Sequence, residues 1–91
     1  MAHLLIVHDV EDYAQWRTIF ERHDDMRQAS GCEAYQLFRD ADNPNHVVIL
    51  FEWDSVANAR QFAESDDLRQ AMQKAGVVSR PQAYFLNEDY S

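Results

Sequence analysis

Four side chains in this 91-residue chain combine a usable functional group with a spacing that can bring it to a common place: His8, His23, Arg17 and Arg27. His23 falls in the series Trp16, Phe20, His23, Arg27, whose steps of four, three and four residues set all four on one face of a helix. An imidazole on the apolar side of a helix can act as a general base or bind an iron. A boundary histidine hydrogen-bonded at the edge of the core is the plainer account of the same position. His8 ends an apolar run and has Asp9 and Asp12 close in sequence, so a carboxylate could orient its ring and raise its basicity. Those two acids serve equally well as helix-start residues, which needs no substrate. Arg17 and Arg27 are the cations this helix would carry toward a pocket, where either could hold a phenolate or a carboxylate. Surface pairing with the abundant carboxylates accounts for them as simply.

Around these groups, Tyr13, Trp16, Tyr35 and Trp53 offer rings that could stack a flat organic substrate, or could equally be core and interface packing. The remaining histidines add little. His3 and His8 are five positions apart, so on a regular strand they point to opposite faces and share no metal. His46 follows a turn and is expected in solvent. With no HxH, no HExxH and no cysteine pair, the expectation is no metal site. A Gly-rich phosphate loop, a nucleophile elbow and a Cys-His motif are also missing, which sets nucleotide-dependent and acyl-transfer chemistry aside.

The elements that must position these residues follow from pattern. Leu4 to Val7 is a short apolar run ending at His8 and Asp9, read as a first strand buried on both faces. From Asp12 to Ala29 the period becomes helical, and Ser30-Gly31 closes that helix. Cys32 to Arg39 and His46 to Trp53 read as a strand hairpin, joined by the turn-rich Asp40-Ala41-Asp42-Asn43-Pro44-Asn45. Ser55 and Ser65 are N-cap candidates, so the second helix is expected to break near Glu64-Ser65. Gly76 ends it, and Ala83 to Leu86 form the last strand.

The order is βαββαβ, a single α+β domain over residues 1–91 with a four-stranded antiparallel sheet and helices on one face. Both faces of the first and third strands carry large apolar groups. About five such side chains left wet, at roughly 1.5–3 kcal/mol each, would cancel the stability of a small domain. A second copy of the chain is the expected cover, as a closed homodimer.

Composition narrows the partners. Sixteen acidic against eight basic residues leave a net charge of −8, a surface that repels a phosphate backbone or an anionic membrane, so neither nucleic acid nor membrane is expected. Cys32 is the single cysteine, which excludes an internal disulfide and suits a reducing cytoplasm. Met1 to Val10 reads as a strand rather than a targeting segment.

The stretches His8-Asp9-Val10-Glu11-Asp12-Tyr13-Ala14-Gln15-Trp16, Phe51-Glu52-Trp53-Asp54 and Ser65-Asp66-Asp67-Leu68-Arg69, with Ala75-Gly76-Val77, resemble the dimeric α+β barrel superfamily, near the antibiotic-biosynthesis-monooxygenase-like proteins. The resemblance implies two ferredoxin-like sheets paired face to face and a pocket between helix and sheet. It implies a cofactor-independent monooxygenase acting on a small aromatic or polyketide-like substrate. His23 or His8 would be the base, Arg17 or Arg27 the cation, and Tyr13, Trp16, Tyr35 and Trp53 the walls. No cofactor is expected. The superfamily's haem-degrading members use an Asn, Trp and His set, and the first strand here carries no Asn, so haem is unsupported. Two other readings of the same residues stay open: a non-catalytic module that binds a small apolar ligand or only assembles, and an isomerase or lyase that only moves protons.

Overall fold

The computed structural model describes residues 1–89. The sheet is built around β1 (Ala2–Asp9), which pairs antiparallel with β3 (His46–Trp53) on one side and β4 (Gln82–Asn87) on the other; β2 (Cys32–Arg39) pairs with the far edge of β3. The order is β2-β3-β1-β4. Two helices, α1 (Tyr13–Arg22) and α2 (Asp24–Ser30), link β1 to β2, and two more, α3 (Val56–Ala63) and α4 (Asp66–Lys74), link β3 to β4. This is the expected α+β ferredoxin-like topology, with each connecting helix divided in two.

Side chains alternate across a strand, so a single register decides what the core contains. Ala2, Leu4, Ile6 and His8 of β1 are buried, as are Val47, Ile49, Phe51 and Trp53 of β3. Cross-strand pairing matches Leu4 with Phe51, Ile6 with Ile49 and His8 with Val47, placing these side chains on one face under the helices. The opposite face carries His3, Leu5 and Val7 of β1 and Val48 and Leu50 of β3, all half-buried. Phe38, Tyr84 and Leu86 on the flanking strands belong to that open face and are exposed. The first strand is therefore not buried on both faces in the single chain. Its apolar run is a fully covered row interleaved with a half-covered one.

The first helix also departs from the expected unbroken span of Asp12 to Ala29. Asp12 is its N-cap, its carboxylate accepting from the Ala14 and Gln15 amides. The helix stops at His23, whose N–H reaches both Ile19 and Phe20 carbonyls, a tightened last turn. A new helix then starts with Asp24 and Asp25 at its positive end. The break expected near Glu64-Ser65 is present, and Ser55 and Ser65 each cap a helix as expected, accepting from Asn58 and Leu68 N–H.

Gly31 has φ of 117° where α2 turns into β2, and Gly76 has φ of 80° after α4. The two differ in surroundings. A Cβ at Gly31 would lie 2.5 Å from an Asp54 carboxylate oxygen, whereas one at Gly76 would meet nothing closer than 3.7 Å. Both glycines sit at positive φ, where an L side chain is strained, and the Asp54 carboxylate that a Cβ would meet at Gly31 is the end of an exposed side chain that can turn aside. Gly31→Ala and Gly76→Ala are each expected to lower stability by about 1 kcal/mol or more. Urea unfolding of both variants measures the losses, and an unchanged midpoint in either would contradict the left-handed backbone there.

Candidate active site

A small apolar cavity lies between the buried face of the sheet and the helices. Ile6, His8, Ile49 and Phe51 form its floor, Trp16, Phe20, His23 and Arg27 one wall, and Phe62 with one side of α4 the rest. Its volume is about 40 Å³. The residues reach it by simple periodicities. His8 is two positions beyond Ile6 on β1, so it is turned inward with the core row, and Trp16 and Phe20 occupy one stripe of α1. The helix break places His23 at the corner between α1 and α2, and Arg27 follows one turn later.

The rings form a continuous series. His8 meets Trp16 edge to face at 5.6 Å between centroids, Trp16 stacks on Phe20 at 4.9 Å, and the Arg27 guanidinium carbon sits 3.9 Å from the centre of the Phe20 ring. Tyr35 and Phe51 stand at 5.5 and 5.9 Å from the same carbon, so the cation lies in an aromatic box. Its one carboxylate partner is Asp24, 3.3 Å from Nη2 and itself partly exposed.

Arg27 is only 2 % exposed and His8 only 3 %. The Nε of Arg27 and the Nδ1 of His8 are both buried with no hydrogen-bond partner among the described residues. Leaving such groups unpaired costs about 1–3 kcal/mol each, more for a charged group. Burial lowers the His8 pKa below its ordinary value, against smaller opposing effects of its own backbone carbonyl dipole and of Asp9. His8 is thus a neutral imidazole in an apolar cavity. The His23 pKa is lowered too, first by burial and then by the positive charge of Arg27, against a smaller pull from Asp67. Burial also lowers the Arg27 pKa, but a guanidinium stays charged at neutral pH.

Of the residues singled out in the sequence, the cavity gathers His8, His23, Arg27 and Trp16. Arg17 is not brought to it: its side chain is 56 % exposed and its Nε donates to Glu21 at 2.9 Å. The four-residue step from Tyr13 to Arg17 runs along a different stripe from Trp16 and Phe20. Tyr13 packs behind Trp16, covered by Arg39. Tyr35 touches the box around Arg27 from a strand that leaves it partly exposed. Trp53 is fully buried against Phe62 but does not line the cavity. Asp9 does not orient His8 either. It points to the open face and meets His46, Nδ1 to Oδ1, at 2.6 Å, so His46 is paired rather than free in solvent.

Sequence reasoning missed the floor and the far wall. Ile6, Ile49 and Phe51 were legible as strand residues but not as cavity lining, because that depends on register. Leu68, Ala71, Met72 and Ala75 recur at three- and four-residue spacing and mark the inward side of α4. A metal could be held among the described residues by His3, Glu52 and Glu88, whose donor atoms lie within 4.8 Å of one another on the open face. Ion pairing of His3 with the two glutamates, at 3.8 and 3.6 Å, accounts for that group without an ion.

The sequence profile of the family described as antibiotic biosynthesis monooxygenase matches residues 8–74, well over half of the chain. The chain belongs to the antibiotic biosynthesis monooxygenase family. The matched stretch starts at His8 and ends with α4, so this family segment contains His8, Trp16, His23 and Arg27 together. Solved structures share the fold at low identity. A protein of Bordetella bronchiseptica, assigned by inference to the antibiotic biosynthesis monooxygenases, aligns over 97% of this chain and 96% of its own with a TM-score of 0.81 and 16% identity. SnoaB, a cofactor-independent oxygenase from Streptomyces nogalater, aligns over 99% and 94% with a TM-score of 0.78 and 14% identity. A conserved protein from Methanosarcina mazei Go1 aligns over 97% and 92% with a TM-score of 0.75 and 14% identity. No curated protein sequence matches significantly. Among the described residues no helix is long and apolar enough to cross a membrane.

The neutral state of His8 ties stability to pH. An unfolded histidine takes up its proton near pH 6.5, the folded one only at lower pH, so between those values the unfolded chain binds more protons and stability rises with pH. The urea midpoint is therefore expected to fall as pH is lowered through 6.5, and His8→Phe should remove that part of the fall. An identical pH dependence in the variant would show that His8 is not held neutral.

Proposed function

We propose that the protein is a monooxygenase-like enzyme without a bound cofactor, acting on a small aromatic or polyketide-like substrate that ionises to an electron-rich anion. The observation that carries this reading is the pair of orphaned polar atoms, His8 Nδ1 and Arg27 Nε, in one apolar cavity. Trp53 Nε1, also buried without a partner among the described residues, lies away from the cavity, so it is the meeting of an imidazole and a guanidinium in one apolar cavity, rather than the lack of partners alone, that carries the reading. A neutral imidazole can take a proton, and a desolvated guanidinium can hold the anion that results.

In the proposed reaction His8 accepts a proton from an acidic C–H or O–H of the substrate. The anion gives an electron to dioxygen, and the radical and superoxide combine at carbon to a peroxide. Loss of water converts the former CH2 to C=O. One oxygen atom enters the product and the other leaves as water, with the substrate carbon supplying all four electrons that reduce dioxygen. Arg27 offsets the negative charge, and the rings of Trp16 and Phe20 exclude water from the anion. In this reading His23, half-buried at the cavity's corner, passes the proton outward. SnoaB, a cofactor-independent oxygenase of the same fold, supports this class of chemistry.

Oxygen uptake with a panel of hydroxylated one- to three-ring substrates tests the reading. His8→Ala is expected to lower kcat by about 10²–10⁴. Arg27→Met is expected to raise KM by about 10- to 100-fold, the loss of a charged hydrogen bond, while leaving the melting temperature unchanged or higher, since a buried charge is replaced by an apolar chain of similar length. Unchanged turnover in both variants would sink the assignment, and proton exchange without oxygen uptake would move it to an isomerase.

The open face of the sheet supports a homodimer. Leu5, Leu50, Phe38, Tyr84 and Leu86 make a continuous apolar surface there, the kind that self-association removes from water. Leu50→Asp is expected to shift the chain to a monomer in light scattering; a wild-type monomer would refute the pairing.

A further inference from the structure

The cavity holding His8 and Arg27 is too small for the substrate class proposed above, on which this inference rests. Its 40 Å³ accommodates two or three waters at about 10–15 Å³ of such volume each. Ligand sites for organic molecules run to about 300–1,000 Å³. A much larger groove of about 530 Å³ lies beside the cavity, between α4 and the segment 77–81 that leads into β4. Leu68 and Met72 line both spaces, and Ile6 meets both from the sheet. The partition between them is thus largely two flexible side chains on one helix.

That helix makes few buried contacts: none of its nine residues is buried, although Leu68, Ala71 and Met72 form an apolar side turned to the cavity. Ser65 caps it after the interruption from α3. Beyond its last turn the Gly76 carbonyl accepts from Glu11 N–H and Val78 N–H donates to the Asp9 carbonyl, so the chain is anchored there and movement of α4 is a swing or side-chain displacement about that end. By contrast Trp16, Phe20, Phe51 and Phe62 are at most 9 % exposed, so the other walls are fixed by the core. Segments that open locally are those with few buried apolar contacts.

We propose that α4 is the door of the active site and that Leu68 and Met72 are its specificity-determining residues. Displacing them joins the inner cavity to the groove beside the segment 77–81, so that a ring can enter beside His8 while its substituents lie in the groove. The size of the side chains at 68 and 72 sets how large a ring is admitted.

Binding of 2-naphthol, followed by quenching of tryptophan fluorescence in stopped flow, tests this without requiring turnover. Leu68→Ala and Met72→Ala are expected to raise the association rate about tenfold, and Met72→Trp to lower it by a similar factor, with far-ultraviolet circular dichroism unchanged. Hydrogen exchange should show α4 amides exchanging faster than those of β1 and β3, and slowing when 2-naphthol is bound. Equal association rates in all four proteins would overturn the door, as would α4 amides as protected as those of β1. Should the wild type not bind, binding by the Leu68→Ala/Met72→Ala double variant upholds the proposal and its absence there overturns it. The two readings fail separately: His8→Ala with full turnover removes the catalytic base while changed rates in the α4 variants keep the door.

Discussion

The two-residue alternation of β1, locked in phase with β3, is the constraint on which the rest depends. Because His8 lies on the same row as Leu4 and Ile6, registering those two against Phe51 and Ile49 necessarily carries an imidazole into the core. A shift of one residue would turn His8 to the open face and carry His3 inward, away from Glu52 and Glu88. The hydrophobic effect that fixes the sheet therefore also fixes the ionisation state of the proposed base. Its lowered pKa is a by-product of packing, needing no dedicated partner.

Arg27 adds a second cost of the same kind. A guanidinium that is 2 % exposed, with a single partly exposed carboxylate and an unpaired Nε, is expensive to bury. The rings of Phe20, Tyr35 and Phe51 offset part of this through their π faces. The uncompensated remainder is the kind of local deficit that folds tolerate where a ligand completes the bonding. His23 and Arg27 lie one turn apart, and burial first and the charge of Arg27 second lower the His23 pKa.

How far the sequence revealed this can be traced residue by residue. The strands and both hairpin arms were legible because turn residues bracket them, and the helix breaks at Glu64-Ser65 because Ser65 announces a cap. The break at His23 was hidden: Asp24 and Asp25 signal a helix start, but the apolar stripe runs on through Met26 and Arg27 and reads as one helix. Trp16, His23 and Arg27 were recognisable from spacing within a single helix. Arg17 was misplaced because a charged residue adjacent to that stripe is within reach of it on paper, whereas Glu21 one turn away captures it. Trp53 was assigned to the site from its ring alone, and only the register with Ala2 and Cys32 shows it sealing the far end of the core. Pairing between elements distant in sequence, such as α4 over β1, leaves no local pattern to read.

The β2-β3 loop closes on itself. Asp40 accepts from the Asp42 and Asn43 amides, Asn43 accepts from the Asn45 amide, and Arg39 donates to the Pro44 carbonyl while lying over the Tyr13 ring. The polar groups near its tip are satisfied within the loop, and its outward ties leave from its base, the Asn45 carbonyl accepting from Val10 N–H and Arg39 lying over Tyr13. The tip around Ala41 is consequently insulated from the chemistry of the domain. It is the natural point at which to graft a fluorophore, a peptide tag or a tethering sequence onto this scaffold while leaving the His8 and Arg27 surroundings as they are.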